Sequence, residues 1–84
     1  MVIDEKLKTA IAGLHQWKYQ TPDGTLFRGT AVSGVPGFLR EAGWRNVPRI
    51  DAYDLKKAGF KVVRARAVTG SGRLAKECDV LVLA

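Results

Sequence analysis

Ile3, Leu7, Ala10, Ile11, Leu14 and Trp17 recur at intervals of three and four, while Glu5, Lys8 and Gln16 fall between them. That spacing places the apolar side chains on one face of a helix and the polar ones on the other. The pattern predicts an amphipathic helix over residues 4–18. Asp4 is the expected N-cap, because its carboxylate can accept from free backbone amides of the first turn. Thr21-Pro22-Asp23-Gly24 ends the pattern: proline removes a donor and Asp-Gly accepts turn geometry.

Residues 25–33 are open between two readings, since Thr25-Leu26-Phe27-Arg28 suits either a short strand or an extended connection. A second, shorter helix is expected over residues 33–43. Ser33 stands where a cap is needed, Pro36 suits the first turn, and Gly43 suits the left-handed position past the end. Phe38, Leu39 and Ala42 are its core-facing residues, and Trp44 packs against it. Pro48 keeps residues 44–49 in a turn or loop. A third helix is expected over residues 51–58. Asp51 is its cap, Asp54 sits in its first turn, Lys56 and Lys57 complement its C-terminus, and Gly59 stops it.

The remaining residues read as a hairpin. Residues 60–68 are rich in β-branched side chains, Thr69-Gly70-Ser71-Gly72 supplies a turn, and residues 74–83 return. The apolar run Cys78-Asp79-Val80-Leu81-Val82-Leu83, interrupted only by Asp79, predicts a central strand or one buried on both faces. The expected core is Ile3, Leu7, Ile11, Leu14, Trp17, Phe38, Leu39, Trp44, Leu55, Phe60, Val62, Val80 and Val82. The expected fold class is α+β, three short helices followed by a C-terminal β-hairpin, in one domain spanning residues 1–84.

This order of elements resembles the winged helix-turn-helix DNA-binding domain. Two stretches carry the resemblance: Phe38-Leu39-Arg40-Glu41-Ala42-Gly43, similar to the end of that family's second helix, and Asp54-Leu55-Lys56-Lys57-Ala58-Gly59-Phe60, similar to a recognition helix running into a wing. The interval from Gly43 to Gly59 leaves room for one turn and one helix. The resemblance implies a helix in the major groove, with Arg45, Arg49, Tyr53, Lys56 and Lys57 on or beside it. It also implies a wing carrying Lys61, Arg64, Arg66, Arg73 and Lys76, with Arg73 beside the tip suited to a minor groove. Tyr53 is equally suited to a core position, and Arg64 and Arg66 to keeping a strand face soluble.

Charge sharpens this picture. The 84 residues carry a net +6, and the excess is localised. Residues 45–76 hold nine cations against Asp51 and Asp54, a net of +7; residues 1–44 are near neutral at +1 and residues 77–84 carry −2. Such a field attracts polyanions and releases their counterions. Hydrophobic residues form 46% of the chain, too many for a disordered polycation. No apolar run reaches membrane-spanning length, and no signal peptide is visible at the N-terminus. The single cysteine, Cys78, can form no internal disulfide, which makes the cytoplasm the expected compartment.

The residues of common catalytic sites are sparse. His15 is the lone histidine and is expected on the first helix, Cys78 lies in an apolar strand, and the two cannot hold zinc alone. Gly70-Ser71-Gly72-Arg73 lacks the lysine and helix of a phosphate loop. No enzymatic activity and no cofactor are therefore expected. The leading expectation is sequence-specific binding of double-stranded DNA by a small phage- or plasmid-type transcriptional regulator. The alternatives are a basic interaction or inhibitor protein of the anti-restriction kind, or an RNA-binding module. A palindromic operator would call for a homodimer, through residues 80–83 or an exposed face of the first helix.

Overall fold

In the computed structural model, which describes residues 3–83, Asp4 caps the first helix, α1 (Glu5–Ala12), by accepting from the Leu7 amide at 2.8 Å. The helix buries Leu7 and Ile11 and stops at Gly13, six residues short of the expected Lys18 boundary counted from Ala12. The chain then extends into β1 (Trp17–Gln20), turns, and returns as β2 (Leu26–Ala31). The helical spacing of Leu7, Ile11 and Leu14 is real, but the alternation Trp17, Tyr19 is that of a strand. Pairing with β2 overrides the local helical pattern.

A 3-10 turn (Val32–Gly34) leads into α2 (Val35–Glu41), with Pro36 in its first turn. The cap position falls on Gly34, with no side-chain cap, so Ser33 does not take the role expected of it. The third helix, α3 (Ala52–Lys57), opens as expected on Asp51, and Asp51 and Asp54 form a reciprocal capping box. Both helices end in the same way. The Trp44 amide donates to Leu39 and that of Gly43 to Arg40; the Phe60 amide donates to Leu55 and that of Gly59 to Lys56. These are Schellman motifs, with Gly43 and Gly59 at φ 102° and 99°. The matching sequences Leu39-Arg-Glu-Ala-Gly-Trp44 and Leu55-Lys-Lys-Ala-Gly-Phe60 are thus two copies of one helix stop.

The last two strands are β3 (Val62–Ala67) and β4 (Cys78–Val82), paired antiparallel from Val62↔Leu81 to Ala65↔Cys78, with a further bridge at Val68↔Leu74. The expected pairing of the C-terminal segments is therefore present, but the winged-helix-like architecture is not. β4 also pairs with β2, and β3 also pairs with β1, so the four strands close into an antiparallel barrel in the order β1-β2-β4-β3. A winged helix carries its hairpin on a small open sheet; here both outer edges of the hairpin are paired and the sheet closes on itself. The same closure removes residues 80–82 as an edge through which a second copy could pair.

Closure depends on one glycine. A Cβ at Gly29 would lie 2.2 Å from the Leu81 carbonyl oxygen and 3.1 Å from Val80 Cγ1, so β2 and β4 can approach only without a side chain there. Strand alternation then divides the interior. Leu81 and its partner Val62 pack with Leu7, Ile11, Leu39, Ile50 and Leu55 beneath the helices. The neighbouring pair Val80 and Val63 joins Tyr19 and Ala65 in a second cluster. Val80 and Leu81 are both fully buried, as the apolar run in β4 implied. Tyr19, Val32, Val35, Val47 and Ile50 are core residues that the helical pattern did not single out, whereas Trp17, expected in the core, is 39% exposed.

Candidate nucleic-acid interface

All ten basic and aromatic positions singled out in the sequence are on the surface, but the fold does not gather them into one face. Tyr53, Lys56 and Lys57 lie on the outer side of α3 while Leu55 points inward; Tyr53 is 70% exposed, so it is no core aromatic. Arg45 borders a depression with Lys6 and Trp44, the Lys6 ammonium standing 5.9 Å from the Trp44 ring centroid. Lys61 precedes β3. Arg73 closes the β3–β4 turn by accepting the Thr69 amide, and Lys76 follows on the approach to β4.

Arg64 is different. Its Nε donates to Glu77 at 3.0 Å and its Nη1 to Asp79 at 3.5 Å, and these carboxylates hold its pKa above the ordinary value. Arg49 and Arg64 share a cavity of about 500 Å³ with Asp51, Glu77 and Asp79. Its two cations face three carboxylates, a net of −1, so the cavity disfavours an anion.

The barrel's outer face holds a cluster that the sequence pattern missed. Lys18 on β1 stands directly opposite Arg28 on β2. Arg66 on β3 pairs with Gln20, which makes it the diagonal neighbour of Lys18. All three are exposed, and none pairs with a carboxylate among the described residues. Like charges placed opposite on adjacent strands repel, so this arrangement costs stability unless an anion covers it. The backbone holds it firmly: the Val68 amide donates to the Lys18 carbonyl and that of Leu83 to the Arg28 carbonyl. Lys18, Arg28 and Leu26 border a shallow depression of about 210 Å³.

The signal for Lys18 and Arg28 was present in the turn between them. The Gly24 amide donates to Thr21, the Thr21 amide donates to Thr25, and Gly24 adopts φ 92°. This is the type I turn with a left-handed residue that closes a three-residue hairpin loop. Had Thr21-Pro22-Asp23-Gly24-Thr25 been read as a hairpin turn, Lys18 opposite Arg28 would have followed from the register.

Beside this cluster, at the β1–β3 seam, lies a cleft of about 430 Å³. That seam is the thinnest in the barrel, with only Tyr19↔Ala67 and Gln20↔Arg66 in register. Trp17 and Phe38 form one wall, their ring centroids 5.0 Å apart and tilted by 33°, and Thr69 and Gly70 border the cleft from the other hairpin. His15 meets Trp17 edge-on at 4.6 Å. Buried Thr30 donates its hydroxyl to the His15 carbonyl at 2.8 Å and so anchors the segment leading to Trp17. Lys18 borders both this cleft and the depression beside Arg28, so the two are neighbours across β1.

The remaining reactive groups are not arranged around either feature as a catalytic set. Burial pushes the Cys78 thiol up, and the nearby Arg64 only partly offsets this. Burial likewise raises the Tyr19 phenol, opposed by a backbone hydrogen bond at Ala31. Among the described residues no group of three His, Cys, Asp or Glu side chains could hold a metal ion, and no helix is long and apolar enough to cross a membrane. No protein family, characterised protein or solved structure matches this chain.

Proposed function

We propose that this chain is a non-catalytic nucleic-acid-binding module that grips the sugar-phosphate backbone with the outer face of its barrel. One observation carries this reading: Lys18, Arg28 and Arg66 are held side by side on three adjacent strands, with no carboxylate among the described residues pairing with them. A sheet position open to solvent tolerates many residues, and three cations there raise the free energy of the unbound protein. Phosphates spaced along a strand relieve that repulsion and release counterions. The exposed Arg45, Lys56, Lys57, Lys61, Arg73 and Lys76 add a diffuse positive field that speeds encounter. A cytoplasmic setting, in which Cys78 stays a thiol, accords with this role.

The test is fluorescence anisotropy with labelled duplex DNA, single-stranded DNA and single-stranded RNA at low and moderate salt. The wild-type protein is compared with the Lys18→Gln, Arg28→Gln, Arg66→Gln triple variant. Each lost contact should flatten the slope of log affinity against log salt by about 0.7 to 0.9. The triple variant should therefore bind at least tenfold more weakly at low salt, with a slope shallower by about 2 to 3. No measurable wild-type binding at low salt, or a triple variant with unchanged affinity and slope, would overturn the proposal. Retention by an acidic protein without nucleic-acid affinity would instead point to an interaction or inhibitor role.

A further inference from the structure

We infer that the cleft between Trp17, Phe38 and Thr69–Gly70 receives an unpaired nucleobase, so that the nucleic acid engaged by this surface is single-stranded. The inference rests on the phosphate-binding reading above and names the form of ligand that the site selects.

Trp17 is the starting point. A chain of 84 residues has few large apolar side chains, yet it leaves one of its two tryptophans 39% exposed. The ring is also held rather than mobile. Phe38 lies against it at 5.0 Å, His15 meets it edge-on, and the Thr30 hydrogen bond ties down the preceding segment. Phe38 has its own seat: a Cβ on Gly34 would come within 2.7 Å of the Phe38 ring, so the ring rests directly on bare backbone. The result is a fixed aromatic wall whose exposed surface faces a cleft of about 430 Å³. That volume lies within the range of small-ligand sites, roughly 300–1,000 Å³.

Charge identifies the occupant. An isolated apolar cleft could take any flat hydrophobic group, but this one has Lys18 in its border, and Lys18 also borders the depression beside Arg28. A group stacked on Trp17 lies one residue from Lys18, whose neighbours on the sheet are Arg28 and Arg66, so an anionic substituent at the cleft's border meets cations. A nucleotide has that construction: a planar base, then a phosphate, repeated along the strand. Stacking is tolerant of base identity because every base offers a π-face. Bases stacked inside a duplex present only their edges, so the cleft discriminates against paired strands.

The experiment compares three probes at one salt concentration: a twelve-residue oligothymidylate, an abasic strand of the same length, and a blunt mixed-sequence duplex. The wild-type protein should prefer the oligothymidylate over the abasic strand by about ten- to a hundredfold, the range set by one stacked base. Trp17→Leu should erase that preference, the two strands then binding alike, while Trp17→Phe should keep most of it. Gly34→Ala, which displaces Phe38 with Trp17 intact, should reduce it. Equal wild-type affinity for both strands, a preference that survives Trp17→Leu, or a duplex bound as tightly as the oligothymidylate would overturn the inference while leaving the phosphate grip standing. Failure to bind any of the three probes would sink both.

Discussion

The barrel is made of two hairpins closed by the same device. Thr21-Pro22-Asp23-Gly24-Thr25 and Thr69-Gly70-Ser71-Gly72-Arg73 each pair the first residue with the fifth. In each, the glycine amide donates back to the first threonine, with Gly24 at φ 92° and Gly72 at φ 81°. What differs is how each hairpin treats its cations. In the second, Arg64 faces Asp79 across the strands and also takes Glu77. In the first, Lys18 faces Arg28. The second arrangement neutralises its arginine within the fold, whereas the first leaves two like charges opposed. Net charge located the chain's positive excess in residues 45–76, but the most organised unneutralised cluster takes two of its three members from outside that segment. Local pairing, not regional charge, separates cations neutralised within the fold from those left unneutralised.

The largest effect expected from this comparison is on closure. β2 needs Gly29 against β4, whereas the tip of the second hairpin has room to spare: a Cβ at Gly70 meets nothing within 4 Å. Gly29→Ala should cost about 3 kcal/mol of unfolding free energy because it forces a backbone shift, while Gly70→Ala should stay within about 0.5 kcal/mol. Urea unfolding measures both. Equal effects would mean that the β2–β4 approach is not what limits the barrel.

Next in size are the binding consequences. Lys18→Gln should weaken oligonucleotide binding several-fold, whereas Arg64→Gln should change it by less than about twofold, since that guanidinium is already held by two carboxylates. Opening the clamp sharpens the contrast. The Glu77→Gln, Asp79→Asn double variant frees Arg64 and should raise affinity and steepen the salt slope by about 0.7 to 0.9. A double variant that binds no better would mean that Arg64 lies off the contacted face.

Smaller still is an effect on the free protein. Removing one of two opposed cations should stabilise it, so Lys18→Gln should gain about 0.2 to 1 kcal/mol at low salt, and less when salt screens the pair. A variant that binds worse but folds better is the signature of a surface kept for its ligand. A loss of stability in that variant would show that Lys18 serves the fold.

The smallest effect concerns pH and again divides the hairpins. Hydrogen bonds from the Thr21 hydroxyl and then the Thr25 amide hold the Asp23 carboxyl below its ordinary value of 3.8. The folded value is the lower one, so this contribution is fully present above the unfolded value and is lost as pH falls through the folded one. The second turn uses a Thr69–Ser71 hydroxyl pair instead, with no carboxylate. Amide exchange at the first turn should therefore quicken below about pH 4 relative to the second. Parallel behaviour of the two turns would contradict this.

The same contrast explains what could be read from the residues alone. Val62-Val63 and Val80-Leu81-Val82 are dense in β-branched and apolar residues, so the second hairpin and its turn were legible. So were both helix stops and the Asp51 cap, because each rests on a local chemical device. The first hairpin was hidden. Trp17 continues the helical spacing of Leu7, Ile11 and Leu14, and Gly29 interrupts Leu26–Ala31 where a strand pattern would want a side chain. Only the tertiary approach to β4 explains that glycine. Reading β1 as helix, and leaving residues 25–28 open between a strand and an extended connection, turned a barrel into an expected wing, placed Trp17 in the core and left Lys18 and Arg28 unnoticed. Arg66 was singled out, but its neighbours on the surface could not be.

The central claim is that the first hairpin's outer face, and not the Arg64 clamp, meets the polyanion. Heteronuclear NMR of the labelled protein titrated with oligothymidylate at low salt tests it residue by residue. The largest amide and side-chain shifts should fall at Trp17, Lys18, Arg28 and Arg66, with Arg64, Glu77 and Asp79 nearly unmoved. Shifts concentrated on Arg64–Asp79 or on α3, with Lys18 and Arg28 silent, would contradict the account.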